Sequence, residues 1–180
     1  AIVAGIDSIE HGYFIEENEE GLELLLEHGT YLVPTIMAYV FIAEGEDLDV
    51  PPEAVDKAKR ALDYNQIGFR RAIDAGAKIA MGSDGGTAFN DHGRTWREII
   101  HMVEHGMKPM EAIVSSTKNG ADLLDIEEDV GTIEPGKNAD IIFINGNPLD
   151  DISAIGDIEC VIKDGEIVRS SNREHRQEFM

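Results

Sequence analysis

Short β-branched and apolar runs alternate three times with amphipathic helical patterns before residue 105, which restricts the chain to parallel α/β architectures. Residues 6–9 predict a first strand, ending at Glu10-His11-Gly12. The acidic start Asn18-Glu19-Glu20 then opens a helix with Leu22, Leu25 and Leu26 on one face, closed by His28-Gly29. Residues 31–37 predict a second buried strand, in which Pro34 requires an edge or a strand end. After an acidic loop at 44–50, Val55, Ala58, Leu62, Phe69, Ala72 and Ile73 trace one face of a long helix that stops near Gly76. A third short strand at 78–81 runs into Gly82-Ser83-Asp84-Gly85-Gly86-Thr87. A helix carrying Trp96, Ile99, Ile100 and Val103 follows.

Beyond about residue 125 the grammar changes. Residues 139–144 and 158–163 predict strands, and Asp164-Gly165 is a two-residue hairpin turn leading back through Glu166-Ile167-Val168. Two or three antiparallel strands are marginal alone, so this segment is expected to pack against others.

Charge narrows the partners. Fifteen Lys and Arg against 36 Asp and Glu give a net charge of −21, which repels phosphate backbones and argues against nucleic acid. No apolar run reaches the roughly 18 residues of a membrane helix, and no basic, apolar leader opens the sequence, so no membrane partner is expected. Cys160 is the single cysteine. It lies in the apolar run Cys160-Val161-Ile162, reads as a small buried hydrophobe, and suits a reducing cytoplasm.

His11 and Asp84 each end a short apolar strand and each precede a glycine. In barrels of parallel strands the C-terminal strand ends face the active site, and an imidazole with a carboxylate there suits a divalent metal such as zinc. Each also reads alone as an ordinary loop residue, His11 as a hydrogen-bonded histidine and Asp84 as a turn former or cap. His101 and His105 have the i, i+4 spacing of a helical zinc pair, but no Glu follows His101 directly, and they read as surface or cap residues.

Ile9-Glu10-His11-Gly12 resembles the sixth barrel strand of the amidohydrolase superfamily, and Met81-Gly82-Ser83-Asp84 resembles the eighth. Residues 119–124, and then Gly131-Thr132-Ile133-Glu134-Pro135-Gly136-Lys137-Asn138-Ala139-Asp140, resemble that family's passage from barrel to flanking β-sandwich. The hairpin 160–168 resembles the last hairpin of that sandwich. Within the superfamily the sequence looks closest to the imidazolonepropionase-like and prolidase-like dipeptidase group.

The resemblance implies the C-terminal part of a (β/α)8 TIM barrel, about three βα units over residues 1–127, followed by strands of a β-sandwich over 128–180. It implies His11 and Asp84 as ligands of one or two divalent metals, with zinc the expected ion, and Asp84 as the catalytic proton shuttle. His92, in the loop after Asp84, and Tyr39, after the second strand, are the candidate substrate contacts. His92 also reads as a residue flanking a helix N-terminus, and Tyr39 as loop packing. The implied substrate is a dipeptide or an N-acylated amino acid, with a cyclic amide such as an imidazolone as the alternative.

The family's first-strand His-x-His, fourth-strand lysine and fifth-strand histidine have no counterpart, and no two histidines here stand two apart. A complete barrel takes about 250 residues, so the chain is expected to be a portion of a longer enzyme and inactive alone. Unpaired strand edges would favour homo-oligomers, and a non-catalytic assembly module is the reading from another class.

Overall fold

The parallel part of the fold is organised around a central strand of three residues. In a computed structural model, which describes residues 1–13, 15–44, 50–87 and 90–171, β1 (Ser8–Glu10) pairs in parallel with β2 (Tyr31–Val33), Ser8 opposite Tyr31 and Glu10 opposite Val33. On the other side of β2, Leu32 bridges Ile79 in parallel. The Leu32 N–H donates to the Lys78 carbonyl at 2.9 Å, and the Ala80 N–H donates to the Leu32 carbonyl at 3.1 Å. The three predicted strands therefore lie side by side in chain order, the third reduced to one bridge.

Local sequence explains the helices that cover one face of this ribbon. The α1 helix (Glu19–His28) starts at Asn18, whose Oδ1 accepts the Gly21 N–H at 2.7 Å, and Gly29 ends it in the left-handed region. The α2 helix (Met37–Ala43) follows β2 at once, and α3 (Pro52–Asp74) begins on a proline suited to the first helical turn. Then come α4 (Trp96–Glu104), α5 (Pro109–Ser116) and α6 (Lys118–Leu123). Leu25, Leu32, Ile36, Phe69, Ala72, Ile79 and Met102 form the centre of one hydrophobic cluster. Successive strand residues point to opposite faces, so Leu32 enters that cluster while Tyr31 and Val33 turn the other way. There they cluster with Ala80 and the partly buried Leu123.

The second sheet is antiparallel, with β4 (Ile158–Lys163) between β3 (Ile141–Ile144) and β5 (Glu166–Ser170). Asp164 and Gly165 both take positive φ, 50° and 82°, as a tight hairpin turn requires. A 3-10 turn at Ile152–Gly156 docks this segment on α4. Ile155 joins the main cluster, and a Cβ on Gly156 would lie 2.7 Å from the Trp96 ring.

Several expectations are corrected. The first strand is Ser8–Glu10 rather than 6–9, because its ladder is set by pairing with Tyr31–Val33. The strand expected over 31–37 ends at Val33: Pro34 lacks an N–H, Thr35 takes φ 49°, and Met37 already begins α2. Helices α5 and α6 lie where no periodicity had been assigned. Cys160 is half-buried rather than enclosed. Most of the acidic insertion, residues 45–49, lies outside the described residues. No helix among the described residues is long and apolar enough to cross a membrane.

Candidate active site

Each of the three parallel strands is followed within five residues by a polar, non-glycine residue with positive φ: His11 at 69°, Thr35 at 49° and Asp84 at 52°. Left-handed backbone at a non-glycine residue is uncommon, and Thr is β-branched, which makes it costlier still. Three such residues at neighbouring strand ends mark a place where the fold holds side chains in set directions.

The first two meet directly. Nδ1 of His11 and Oγ1 of Thr35 share a hydrogen bond of 2.6 Å. With the Nδ1 proton donated to Thr35, the other ring nitrogen, Nε2, is left as a free acceptor. The His11 ring also lies edge-on to Tyr39 (6.0 Å between centroids) and tilted to Tyr13 (6.2 Å), and the two tyrosine rings are 5.3 Å apart. Burial first, then a hydrogen bond with Tyr13 and the negative charge of Asp84, raise the Tyr39 phenol far above its usual range. Tyr39 is thus a neutral hydroxyl at any working pH, close enough to Asp84 to respond to its charge. Of the residues chosen from sequence, His11 and Tyr39 meet ring to ring, and the charge of Asp84 acts on the Tyr39 phenol.

The Asp84 side chain is exposed. The turn after it is built to bring His92 close. A Cβ on Gly85 would lie 3.1 Å from His92 Nδ1, and one on Gly86, where φ is 97°, would lie 2.8 Å from Nε2. His92 opens a 3-10 turn, His92–Arg94, just ahead of α4, and so flanks that helix. His101 and His105 are excluded from this group. His101 Nδ1 faces Glu104 at 3.0 Å, and His105 Nδ1 donates to the His101 carbonyl at 2.6 Å.

Sequence reading missed the polar residues that pin these strand ends. Asn65 of α3 is buried and donates to the carbonyls of His11 (2.5 Å) and Pro34 (2.8 Å). Asn90, also buried, donates to those of Ser83 (2.5 Å) and Asp84 (3.1 Å). Glu98 of α4 is 0% exposed and accepts the N–H groups of Ile36 and Met37, each at 2.8 Å. Burial pushes its carboxyl up to about 7, against the lowering effect of those two bonds. A signal existed for two of the four: Asn65 stands at an apolar-periodic position four before Phe69, and Glu98 four before Met102. Thr35 and Asn90 gave none.

The Amidohydrolase family model matches residues 1–168. This chain belongs to the amidohydrolase family. Among solved structures, a Xaa-Pro dipeptidase with methionine bound in its active site is similar at 45% identity and a TM-score of 0.85, over 94% of this chain and 41% of that one. The ochratoxinase of Aspergillus niger is 32% identical over 165 residues, 89% of this chain and 33% of the relative. The imidazolonepropionase of Thermoplasma volcanium is 30% identical over 111 residues, 60% of this chain and 28% of the relative. The chain therefore spans about a third of the length of these curated relatives.

Amidohydrolases generally use divalent metals. The donors here fit such an ion in kind, since an imidazole with one nitrogen anchored and an exposed carboxylate are ordinary ligands of zinc-like cations. They fall short in number: no group of three or more His, Cys, Asp or Glu side chains suited to a metal occurs among the described residues.

Proposed function

We propose that this chain supplies the C-terminal half of the active site of a metal-dependent amidohydrolase that cleaves the amide C–N bond of dipeptides or N-acyl amino acids. The observation that carries the reading is the exit side of three adjacent parallel strands, where His11 meets Thr35 and Tyr39 and the charge of Asp84 acts on the Tyr39 phenol. Residues 1–127 are read as the last three βα units of a (β/α)8 barrel, and 128–180 as strands of a flanking β-sandwich. A parallel ribbon followed by an antiparallel sheet supports that division.

In this scheme His11, its ring fixed by Thr35, and Asp84 would be the residues of this chain that hold the metal. A bound divalent ion, with zinc the first candidate and one or two ions per site, supplies water acidified towards neutral pH. The Asp84 carboxylate takes a proton from the attacking water and returns it to the leaving nitrogen, so that a C–O bond forms as the C–N bond breaks. Tyr39 offers a neutral hydroxyl to the substrate, and His92 borders the same opening from the Gly85-Gly86 turn. A second reading, hydrolysis of a cyclic amide, is favoured by the likeness to imidazolonepropionase. The unpaired cysteine fits a cytoplasmic setting, and the uncovered antiparallel sheet fits association with further strands or a second copy.

A substrate panel on the intact, metal-supplemented protein tests this: Xaa-Pro dipeptides, N-acyl amino acids and cyclic amides, followed by release of the amine or ring-opened product. Asp84→Asn is expected to lower kcat by about 100- to 10,000-fold with the fold retained by circular dichroism. No turnover on any amide, or full activity in Asp84→Asn, would sink the proposal.

A further inference from the structure

The α2 helix carries Tyr39 to the site, yet it has little of its own to fix where it begins. Its N-cap is Ile36, with no side-chain cap, and its first turn has no acidic residue. The carbonyl side of the preceding turn is held from α3, through the bonds of Asn65 to His11 and Pro34. The amide side is held from α4 instead. The two oxygens of Glu98 divide the work, Oε1 accepting from Ile36 and Oε2 from Met37, both at 2.8 Å in a fully buried setting. Neighbouring Arg97 places its guanidinium 5.8 Å from the Phe41 ring centroid, on the same helix as Tyr39. Two successive residues of α4 therefore grip α2, one at its start and one two residues past Tyr39.

We propose that Glu98 is a positioning residue for the hydrolytic site, fixing the start of α2 so that the Tyr39 ring stands edge-on to His11 and beside Asp84. The proposal rests on the amide-hydrolase reading. Glu98 is buried away from solvent and acts through Tyr39, and its two-oxygen geometry explains why a carboxylate occupies this apolar stripe. An apolar residue there would leave two buried N–H groups without acceptors, and an amide would turn a donor towards one of them.

The test compares wild type, Glu98→Gln, Tyr39→Leu and the double variant in the intact protein. It reads kcat and KM on an Xaa-Pro dipeptide, and hydrogen exchange at the Ile36 and Met37 amides. Glu98→Gln is expected to lose about ten-fold in kcat/KM and about ten-fold in exchange protection at those amides, as loss of one buried hydrogen bond implies. In the Tyr39→Leu background the same change is expected to cost less than about two-fold in kcat/KM, because coupled residues are non-additive. An equal loss in both backgrounds, or an unchanged kcat/KM in Glu98→Gln, would overturn the proposal. If Glu98→Gln does not fold, Glu98→Asp keeps the charge on a shorter stem and carries the same comparison. If wild type hydrolyses no amide, the hydrolase reading fails and this proposal with it. The exchange data separate that outcome from a failure of the carboxylate to hold the turn.

Discussion

The two sheets of this protein are built from similar residues and have opposite fates. In β2, Tyr31, Leu32 and Val33 are all buried. In the antiparallel sheet, Ile142, Phe143, Ile167 and Val168 are each about half exposed (48%, 51%, 51% and 53%). Composition does not separate them, since both are rich in β-branched and aromatic residues that favour strands. The difference is what lies on top. The parallel ribbon has α1 to α5 against one face, whereas the strands of the antiparallel sheet contribute no residue to the main hydrophobic cluster, which their segment reaches through Ile155 of the 3-10 turn. Strand propensity decides that a segment extends, and the covering layer decides how much stability that extension contributes.

The sharpest way to break this comparison is a pair of matched truncations. Phe69→Ala, in the helix layer at 1% exposure, is expected to cost about 3–5 kcal/mol by urea denaturation. Phe143→Ala, at 51% exposure, is expected to cost less than about 1 kcal/mol unless a further layer covers the sheet in the intact protein. A large cost at Phe143 would reveal such a layer.

The next effect is pH-dependent and belongs to the buried ribbon alone. The Glu98 carboxyl is raised from 4.5 to about 7 by burial, so between those values the folded state holds a proton that the unfolded state has released. The wild type should therefore lose stability relative to Glu98→Gln as pH rises from about 4.5 to 7, by roughly 3 kcal/mol in all, and level off above that. Parallel stability curves for the two proteins across that window would show that Glu98 does not titrate there. The smallest effect is at the edge of the helix layer. Asn18→Ala, which removes the cap on the Gly21 N–H, is expected to cost about 1 kcal/mol, measured as a lowered urea midpoint.

How far the sequence reaches is clear from particular residues. The β4–β5 hairpin was legible because Asp164-Gly165 is a turn whose chemistry is local. The α1 and α3 helices were legible from the Asn18-Glu19-Glu20 start and the apolar spacing. His11, Asp84, Tyr39 and His92 were offered by the sequence as candidates, and the structure sets Tyr39 against the His11 ring and His92 against the Gly85-Gly86 turn that follows Asp84. The exit from β2 was not, because a run of apolar residues continues through Val33 into α2 without a change of period. Pro34 with the left-handed Thr35 makes the break.

By itself, then, the sequence determined the alternation of three extended segments with α1, α3 and α4, the hairpin turn, and the residue types offered to the site, because each depends on neighbours a few positions away. The tertiary structure alone decided that Thr35 meets His11 from 24 residues away. It alone decided that Asn65 ties two strand ends, and that Glu98 reaches back 61 and 62 residues to the start of α2. Those contacts are hydrogen bonds between buried groups whose partners are distant in the chain. No local pattern encodes them. They exist because packing strands side by side beneath a helix layer leaves polar groups that must find partners inside.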